Sequence, residues 1–441
     1  MLVIDEAQDM DASEFALVKA LMKHNDDMRV IAVGDDDQNI YAFRCSDSKY
    51  MRSLIDDFGA VRYEMVENYR SRPNIVAFAN AFAGTITDRM KTRDVSTVQT
   101  DNGIVRITRH SCENMEIPLA EEVRTEKGKT VCVLTSTNDE ALRILGLLTK
   151  RGVKAKLIQS LKGFSLYNLA EIRYFLKQID KSLDSPTISD ENWSNSKKAL
   201  MLKYSGSSCL NNCLVLISEF EKTNRVRYRT DLEEFIRESN YEDFYGADSD
   251  SVLVSTIHKS KGREFDRVCI MLKNVTADND ETRRAIYVGM TRAKSELYIH
   301  TNRGIFDQFD VPGVEKVDDR RYYPEPEEIT LQLTHEDVVL DFFKGRKQQL
   351  LGLRSGMPLR LDGVYLSVTV NGVEWRAAKL SKKILGELDR LNAKGYLPVK
   401  ALIRFIVAWR GKEDSDETAV ILADIDLSAS GGRAAAADDR H

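Results

Sequence analysis

Val3-Ile4-Asp5-Glu6-Ala7-Gln8-Asp9 is a short apolar run that ends abruptly in carboxylates and an amide. A buried strand of a parallel sheet has this form, and α/β proteins gather ligands at the carboxyl ends of such strands. From Asp11 to His24, Phe15, Val18, Leu21 and Met22 recur at helical spacing and give one apolar face. Arg29 to Val33 is a second buried strand, running into Gly34-Asp35-Asp36-Asp37-Gln38. Strand, helix and strand in this order form a right-handed crossover with parallel strands. Asp5, Glu6 and Gln38 therefore converge on one edge of the sheet.

A carboxylate fixed at a strand end can hold Mg2+ through water. A second beside it can orient or deprotonate an attacking water, and an amide can contact a terminal phosphate. A pair of solvated acidic turns is the plainer alternative. Next, Tyr41 and Phe43 alternate beside Arg44. They make either a stacking platform for an unpaired base with a phosphate clamp, or a half-buried edge strand. A helix from about Ser46 to Phe58 and a strand from Val61 to Val66 lead into Asn68-Tyr69-Arg70-Ser71-Arg72-Pro73. Pro73 suits the first turn of a helix carrying Ile75, Phe78 and Phe82. An arginine just before that helix is a candidate phosphate contact or an ordinary surface ion pair.

With these residues in place, the chain resembles the superfamily 1A DNA helicases of the UvrD, Rep and PcrA type. Val3 to Asp9 is similar to their Walker B motif, Gly34 to Arg44 to the motif that follows, and Asn68 to Ser71 to the one after that. Ser255-Thr256-Ile257-His258-Lys259-Ser260-Lys261-Gly262-Arg263-Glu264-Phe265-Asp266 resembles Thr-x-His-x-x-Lys-Gly-x-Glu-Phe. Arg283 to Lys294 is similar to the final Arg-x-x-Tyr-Val-x-x-Thr-Arg-Ala motif.

The resemblance implies Asp5 as Mg2+ ligand, Glu6 as the residue that activates water, and Gln38 as a γ-phosphate contact. It implies Tyr69 stacked on adenine, Arg70 and Arg292 as arginine fingers, and Gly262 and Glu264 at the nucleotide, with Glu264 reaching the ribose. Tyr41, Phe43 and Arg44 would line a single-strand channel, with Thr256 and His258 at the DNA backbone. The cofactors implied are ATP and Mg2+. The partners implied are single-stranded DNA and single-strand/duplex junctions, with a 3′ to 5′ direction and a place in DNA repair. Cys45 stands where the family usually has Gly, and Arg263 where Leu is common.

The fold class expected is α/β: two RecA-like P-loop NTPase-type domains, the first incomplete, plus a small C-terminal α+β domain. Residues 1–60 are expected to be the partial domain 1A, and 61–180 with 251–305 domain 2A. Residues 181–250 read as a reduced helical 2B-like insertion, 306–332 as a linker, 333–428 as the C-terminal domain and 429–441 as a disordered tail. Within 333–428, His335 to Leu353 reads as a helix, and Tyr365 to Trp375 as a hairpin about Asn371-Gly372. Trp375 and Trp409 with Arg376 and Arg410 make either core or a contact face.

Composition sets wider bounds. The 441 residues, 42% hydrophobic and with a formal charge of -5, describe an ordinary soluble chain whose nucleic-acid surface must be a local basic track. The six cysteines form no CxxC pair, Cys209 and Cys213 sit one helical turn apart, and an intracellular, cytoplasmic setting is expected. No apolar run reaches the roughly 18 residues of a membrane span. Gly128-Lys129-Thr130 ends like a phosphate-binding loop, but Val123 stands where its first glycine belongs, and a strand follows. As written the chain lacks that loop and its lysine, so negligible ATP hydrolysis is expected from residues 1–441 alone. The alternatives are a non-catalytic, helicase-derived DNA-binding adaptor, or one part of a fusion or split enzyme whose phosphate loop lies in a missing N-terminal region or partner.

Overall fold

The computed structural model describes residues 1–25, 27–158, 165–183, 185–239, 251–346, 350, 352–410 and 417–429. The chain forms two compact units, Met1–Lys156 with Ser249–Glu325, and Leu157–Asp248 with Pro326–His441.

In the first unit, Leu2–Ile4 and Val30–Ala32 pair in parallel, with Val3 opposite Ile31. The crossover helix Ala12–His24 starts on a capping box: the Asp11 carboxylate accepts from the Ser13 and Glu14 amides, and Glu14 accepts from the Asp11 amide. Phe15 and Val18 bury against Ala7, Met10 and Leu54, while Leu21 stays largely exposed. At the end of the second strand, a Cβ on Gly34 would meet Gln8 Oε1 at 2.5 Å and the Ala7 nitrogen at 3.1 Å. Only glycine lets the two acidic strand ends approach this closely.

The rest of this unit is built on a seven-stranded sheet. Its order is Val314–Asp319, Ile104–His110, Ala293–Thr301, Phe265–Leu272, Val131–Thr135, Val252–Thr256 and Ala155–Leu157. The recorded pairings are all parallel, so Thr135, Thr256 and Leu272 end on one edge. Pro73 opens the helix Pro73–Ala83, which buries Ile75, Phe78 and Phe82. Phe78 and Phe82 lie 5.7 and 5.6 Å from the Phe306 ring. Each such side chain contributes roughly 1.5–3 kcal/mol by leaving water, enough to hold the Asn68–Arg72 segment ahead of the helix in place.

In the second unit, helices Ala170–Lys181, Asp190–Lys203, Leu210–Thr223 and Arg229–Glu238 share one apolar core with a six-stranded antiparallel sheet. That sheet runs Glu328–Gln332, Thr418–Ala429, Tyr396–Trp409, Pro358–Asp362, Tyr365–Val370, Val373–Lys379. Asn371 and Gly372 take φ of 51° and 78°, the positive values that a tight two-residue hairpin turn requires. Trp375 and Trp409 both pack against the core. Among the described residues no helix is long and apolar enough to cross a membrane.

Several expectations change. Residues 61–66 form no strand: Val61, Tyr63 and Met65 are 75%, 86% and 86% exposed, and the short strand Glu67–Asn68 pairs instead with Ser96–Thr97. Alternation alone makes no strand without a neighbour to bond, and here Glu64 is occupied by Arg62, Thr92 and Arg93. The linker drawn over 306–332 contains two sheet strands, Val314–Asp319 and Glu328–Gln332. The boundary drawn at 180 also moves, because Leu169, Ile172 and Phe175 bury in the second unit's core. There the 181–250 insertion and the 333–428 region share one core, with Leu169 bridging to Val407. The described part of His335 to Leu353 is not one continuous helix: it holds the 3-10 turn Leu340–Phe343, with Val338 bridged to Leu380, and Leu350 is helical. Ala429 ends a strand, and the tail expected from there on otherwise lies outside the described residues.

Candidate nucleotide and DNA site

The two acidic strand ends are stitched together by Gln8. Its Oε1 accepts from the Asp35 amide at 2.9 Å, its Nε2 donates to Glu6 Oε2 at 2.6 Å, and its carbonyl accepts from Asn39 Nδ2 at 2.6 Å. Glu6 takes φ of 50°, exposed, and its own amide donates to Asp5 Oδ1 at 2.9 Å. A left-handed glutamate is uncommon, and the hydrogen bonds on both of its neighbours hold it there.

The Asp35–Asp37 run is not a solvated turn. Asp37 is fully buried and receives Arg89 through two hydrogen bonds of 2.8 and 2.7 Å, while Lys91 pairs with Asp35 at 2.5 Å. Asp36 accepts from the Met90 amide at 2.5 Å, and burial raises its carboxyl pKa. This anchoring leaves Gln38 at the exit of the turn, where its Nε2 donates to Asp35 Oδ2 at 2.8 Å.

Arg292 reaches Gln38 from the other side. Its Nη2 donates to Gln38 Oε1 at 2.8 Å, Nε to the Val288 carbonyl at 3.0 Å, and Nη1 to the Arg263 carbonyl at 3.2 Å. The side chain is buried, and its pKa is pushed down to about 10 by burial and by the neighbouring Arg70. Arg70 donates through Nε to Glu264 Oε2 at 2.6 Å and through Nη1 to the Thr291 carbonyl at 3.2 Å. Glu264 also holds Lys294 at 2.7 Å, and that bond, with the one from Arg70, keeps its carboxyl below the usual range. Tyr69 is 68% exposed, its hydroxyl donating to Glu67.

Lys261, to which the resemblance assigns no role, sits among these groups. Its Nζ lies 2.5 Å from Asp9 Oδ2, 3.0 Å from the Gln38 carbonyl and 3.3 Å from Glu6 Oε2. Burial raises the pKa of Asp9, and Lys261 works against that rise. The signal was present in the sequence, as a lysine fixed before Gly262, whose φ of 81° turns the chain toward Glu264. Arg89 and Lys91 carried no comparable signal.

Beside this cluster lies an aromatic group. The Tyr41 hydroxyl donates to the His258 carbonyl at 3.2 Å, and the Phe43 ring meets the His258 ring edge-on at 5.8 Å. Arg44 sits 5.4 Å from the Tyr41 ring and 5.9 Å from that of Phe43, which is 64% exposed. These residues form a 3-10 turn, not an edge strand. Cys45 closes it at φ of 64°, so the turn usually made by glycine is made here, at a cost of roughly 1–2 kcal/mol for a non-glycine residue. Thr256 ends its strand buried, and burial lowers the His258 pKa. A cleft of about 410 Å³ opens next to His258, lined in part by Ser136, Leu272, Asn279 and Thr282.

The Gly128-Lys129-Thr130 segment is no phosphate cradle. Lys129 is engaged by Glu126 and Glu296, and Thr130 by Asp266 at the start of a strand. Among the described residues no group of three or more His, Cys, Asp or Glu is placed to hold a metal.

A parallel sheet whose acidic strand ends meet two arginines, next to an exposed aromatic turn, fits a RecA-like α/β fold. Family models match most of the chain. The UvrD/REP helicase N-terminal domain matches residues 1–59, and the UvrD-like helicase C-terminal domain matches 63–191 and 191–304. The chain belongs to the UvrD/Rep family of superfamily 1A, the ATP-dependent DNA helicases.

It is 21% identical over 400 residues to the ATP-dependent DNA helicase Rep of Buchnera aphidicola, covering 67% of this chain and 62% of that one. It is 20% identical over 489 residues to the ATP-dependent DNA helicase srs2 of Schizosaccharomyces pombe, covering 85% and 55%. The chain thus spans about three fifths of the length of these curated relatives. A solved C-terminal domain of a possible DNA helicase from Lactobacillus plantarum aligns with 56% of the chain and 98% of its own length, at 14% identity and a TM-score of 0.28.

Proposed function

We propose that this chain supplies the catalytic carboxylates, the arginine pair and the single-strand grip of an ATP-driven DNA translocase moving 3′ to 5′. One observation carries the reading: Glu6, Gln38, Arg70, Arg292 and Glu264 form one connected cluster through Lys261, Thr291 and the Arg70–Glu264 pair, directly beside Tyr41, Phe43 and His258.

In this reading Glu6 accepts the proton of the attacking water, and Gln38 contacts the γ-phosphate. Arg70 and Arg292 face the charge that develops as the phosphoryl group transfers, Tyr69 stacks on adenine and Glu264 hydrogen-bonds the ribose. Asp5 would hold Mg2+, and the charge neutralisation it supplies when bound would favour phosphoryl transfer. Gln38 and Lys261 tie the nucleotide cluster to Tyr41, so nucleotide state and DNA grip share contacts. Phe43 stacks on an unpaired base, with Arg44, Thr256 and His258 along the backbone. Substrates of this kind are single strands and junctions, such as arise in DNA repair in the cytoplasm.

No segment of the 441 residues has the Gly-x4-Gly-Lys-Ser/Thr pattern, so hydrolysis requires a phosphate loop from elsewhere. The test is single-strand binding by fluorescence anisotropy with labelled oligo-dT. The reading expects a salt-dependent affinity that Phe43→Ala weakens. Binding that ignores both salt and Phe43 would remove it.

A further inference from the structure

The second unit carries a cluster that the nucleotide site does not use. The hairpin Tyr365–Val370 and Val373–Lys379 lies beside the 3-10 turn Leu340–Phe343, with the Phe342 and Tyr365 rings 5.9 Å apart at 45°. The Arg346 guanidinium carbon sits 3.9 Å from the Phe342 centroid, and that of Arg376 sits 4.0 Å from the Tyr365 centroid. Lys379, directly opposite Tyr365 in the hairpin register, brings its Nζ to 6.0 Å of the same ring. Arg346 Nη1 donates to the Arg376 carbonyl at 3.3 Å, joining the two halves.

Charge sets this cluster apart from its surroundings. Neighbouring cations are paired: Arg360 with Glu374, Lys344 with Asp341, and Lys383 with Glu336. Among the described residues none of Arg346, Arg376 and Lys379 has a carboxylate partner. Three like charges held around two half-buried rings repel one another, and among the described residues no carboxylate pairs with them to offset that cost. An anionic partner does. Stacking on the rings also orders each guanidinium plane, leaving its N–H donors for phosphate oxygens and its outer face for a base.

We propose that Arg346, Phe342, Tyr365, Arg376 and Lys379 form a second contact for single-stranded nucleic acid, with phosphates on the cations and a base stacked on the guanidinium–ring layers. An acidic protein or an anionic membrane supplies the charge but no planar group to use the stack, so a single strand fits both features. The proposal uses no residue of the nucleotide site and stands or falls apart from it.

The test uses the full chain and labelled (dT)15, read by anisotropy across a salt series, together with ultraviolet crosslinking mapped by mass spectrometry. The expected crosslinks include the peptides carrying Phe342 or Tyr365. Arg346→Ala with Arg376→Ala is expected to flatten the slope of log affinity against log salt by about 1.4, two phosphate contacts at about 0.7 each for single strands. Arg376→Lys, which keeps the charge, holds the slope but loses crosslinking at Tyr365. An unchanged slope in the double variant overturns the proposal, as does a crosslink map without both aromatic residues. A defect confined to anionic vesicles or polyglutamate, with (dT)15 binding intact, overturns it as well.

Discussion

Arg292 Nη2 donates to Gln38 Oε1 at 2.8 Å, joining residues 254 positions apart in the chain. The guanidinium is 2% exposed and also holds the Val288 and Arg263 carbonyls. A lysine has one compact donor group and no fork, so it cannot serve three acceptors in these directions. Arg292→Lys is expected to destabilise the first unit by about 2–3 kcal/mol, measured as a shift in the urea midpoint. Gln38→Ala, which leaves one N–H unpaired, should cost about 1–2 kcal/mol.

Arg70 offers the opposite case. Its side chain is 35% exposed and that of Glu264 42%, and Glu264 keeps Lys294 when Arg70 is gone. Arg70→Ala should therefore change stability by less than about 1 kcal/mol. In a protein that also carries a phosphate loop, the same change should lower ATP turnover by roughly 10³-fold or more. Comparing the urea midpoint with the turnover separates the two roles.

On the DNA side, Phe43 is the exposed ring and Tyr41 the one whose hydroxyl is used inside the protein. Phe43→Ala should weaken oligo-dT binding by about 1–3 kcal/mol, the loss of one stacked base. Tyr41→Phe removes only the bond to the His258 carbonyl and should cost about 0.5–1.5 kcal/mol of stability. Anisotropy and denaturation respectively check the pair.

A pH dependence follows from a buried histidine pair. His110 Nε2 and His300 Nδ1 are 2.9 Å apart, and burial together with His300 pushes the His110 pKa down to about 4. Asp319 at 3.5 Å from His110 and Glu122 at 2.9 Å from His300 face the pair and favour protonation, while Arg321 near Asp319 opposes it. His110 is therefore neutral when folded and protonates near 6.5 when unfolded. Its contribution is complete above pH 6.5 and is lost as pH falls from 6.5 to about 4, on the order of 2 kcal/mol. Urea midpoints taken across that window should fall with acid in the wild type, and less steeply in His110→Gln.

The motif residues were legible because their chemistry is local. Glu6, Gln38, Arg70 and Arg292 each sit at a strand or helix end whose pattern shows in sequence, and the structure links them through Lys261 and Thr291, while Asp5 accepts from the Glu6 amide. Their supports were not legible. Arg89 and Lys91 lie in an irregular loop, and nothing nearby says that they will neutralise Asp35 and Asp37. Residues 61–66 alternate like a strand but form no strand ladder, the Ser96 amide reaching only the Val66 carbonyl at their end. The second unit shows the same limit on a larger scale: its core joins Phe175, Phe220 and Val407, and long-range packing of that kind leaves no periodic trace along the chain.

In the proposed function this chain brings the carboxylates and arginines of an ATPase site, and the phosphate loop comes from elsewhere. The most direct measurement is phosphate release from ATP by residues 1–441 alone, with and without oligo-dT, beside the Glu6→Gln variant. The account expects background release from both proteins, unaffected by DNA. A DNA-stimulated rate that Glu6→Gln abolishes would contradict it, because the site would then be whole.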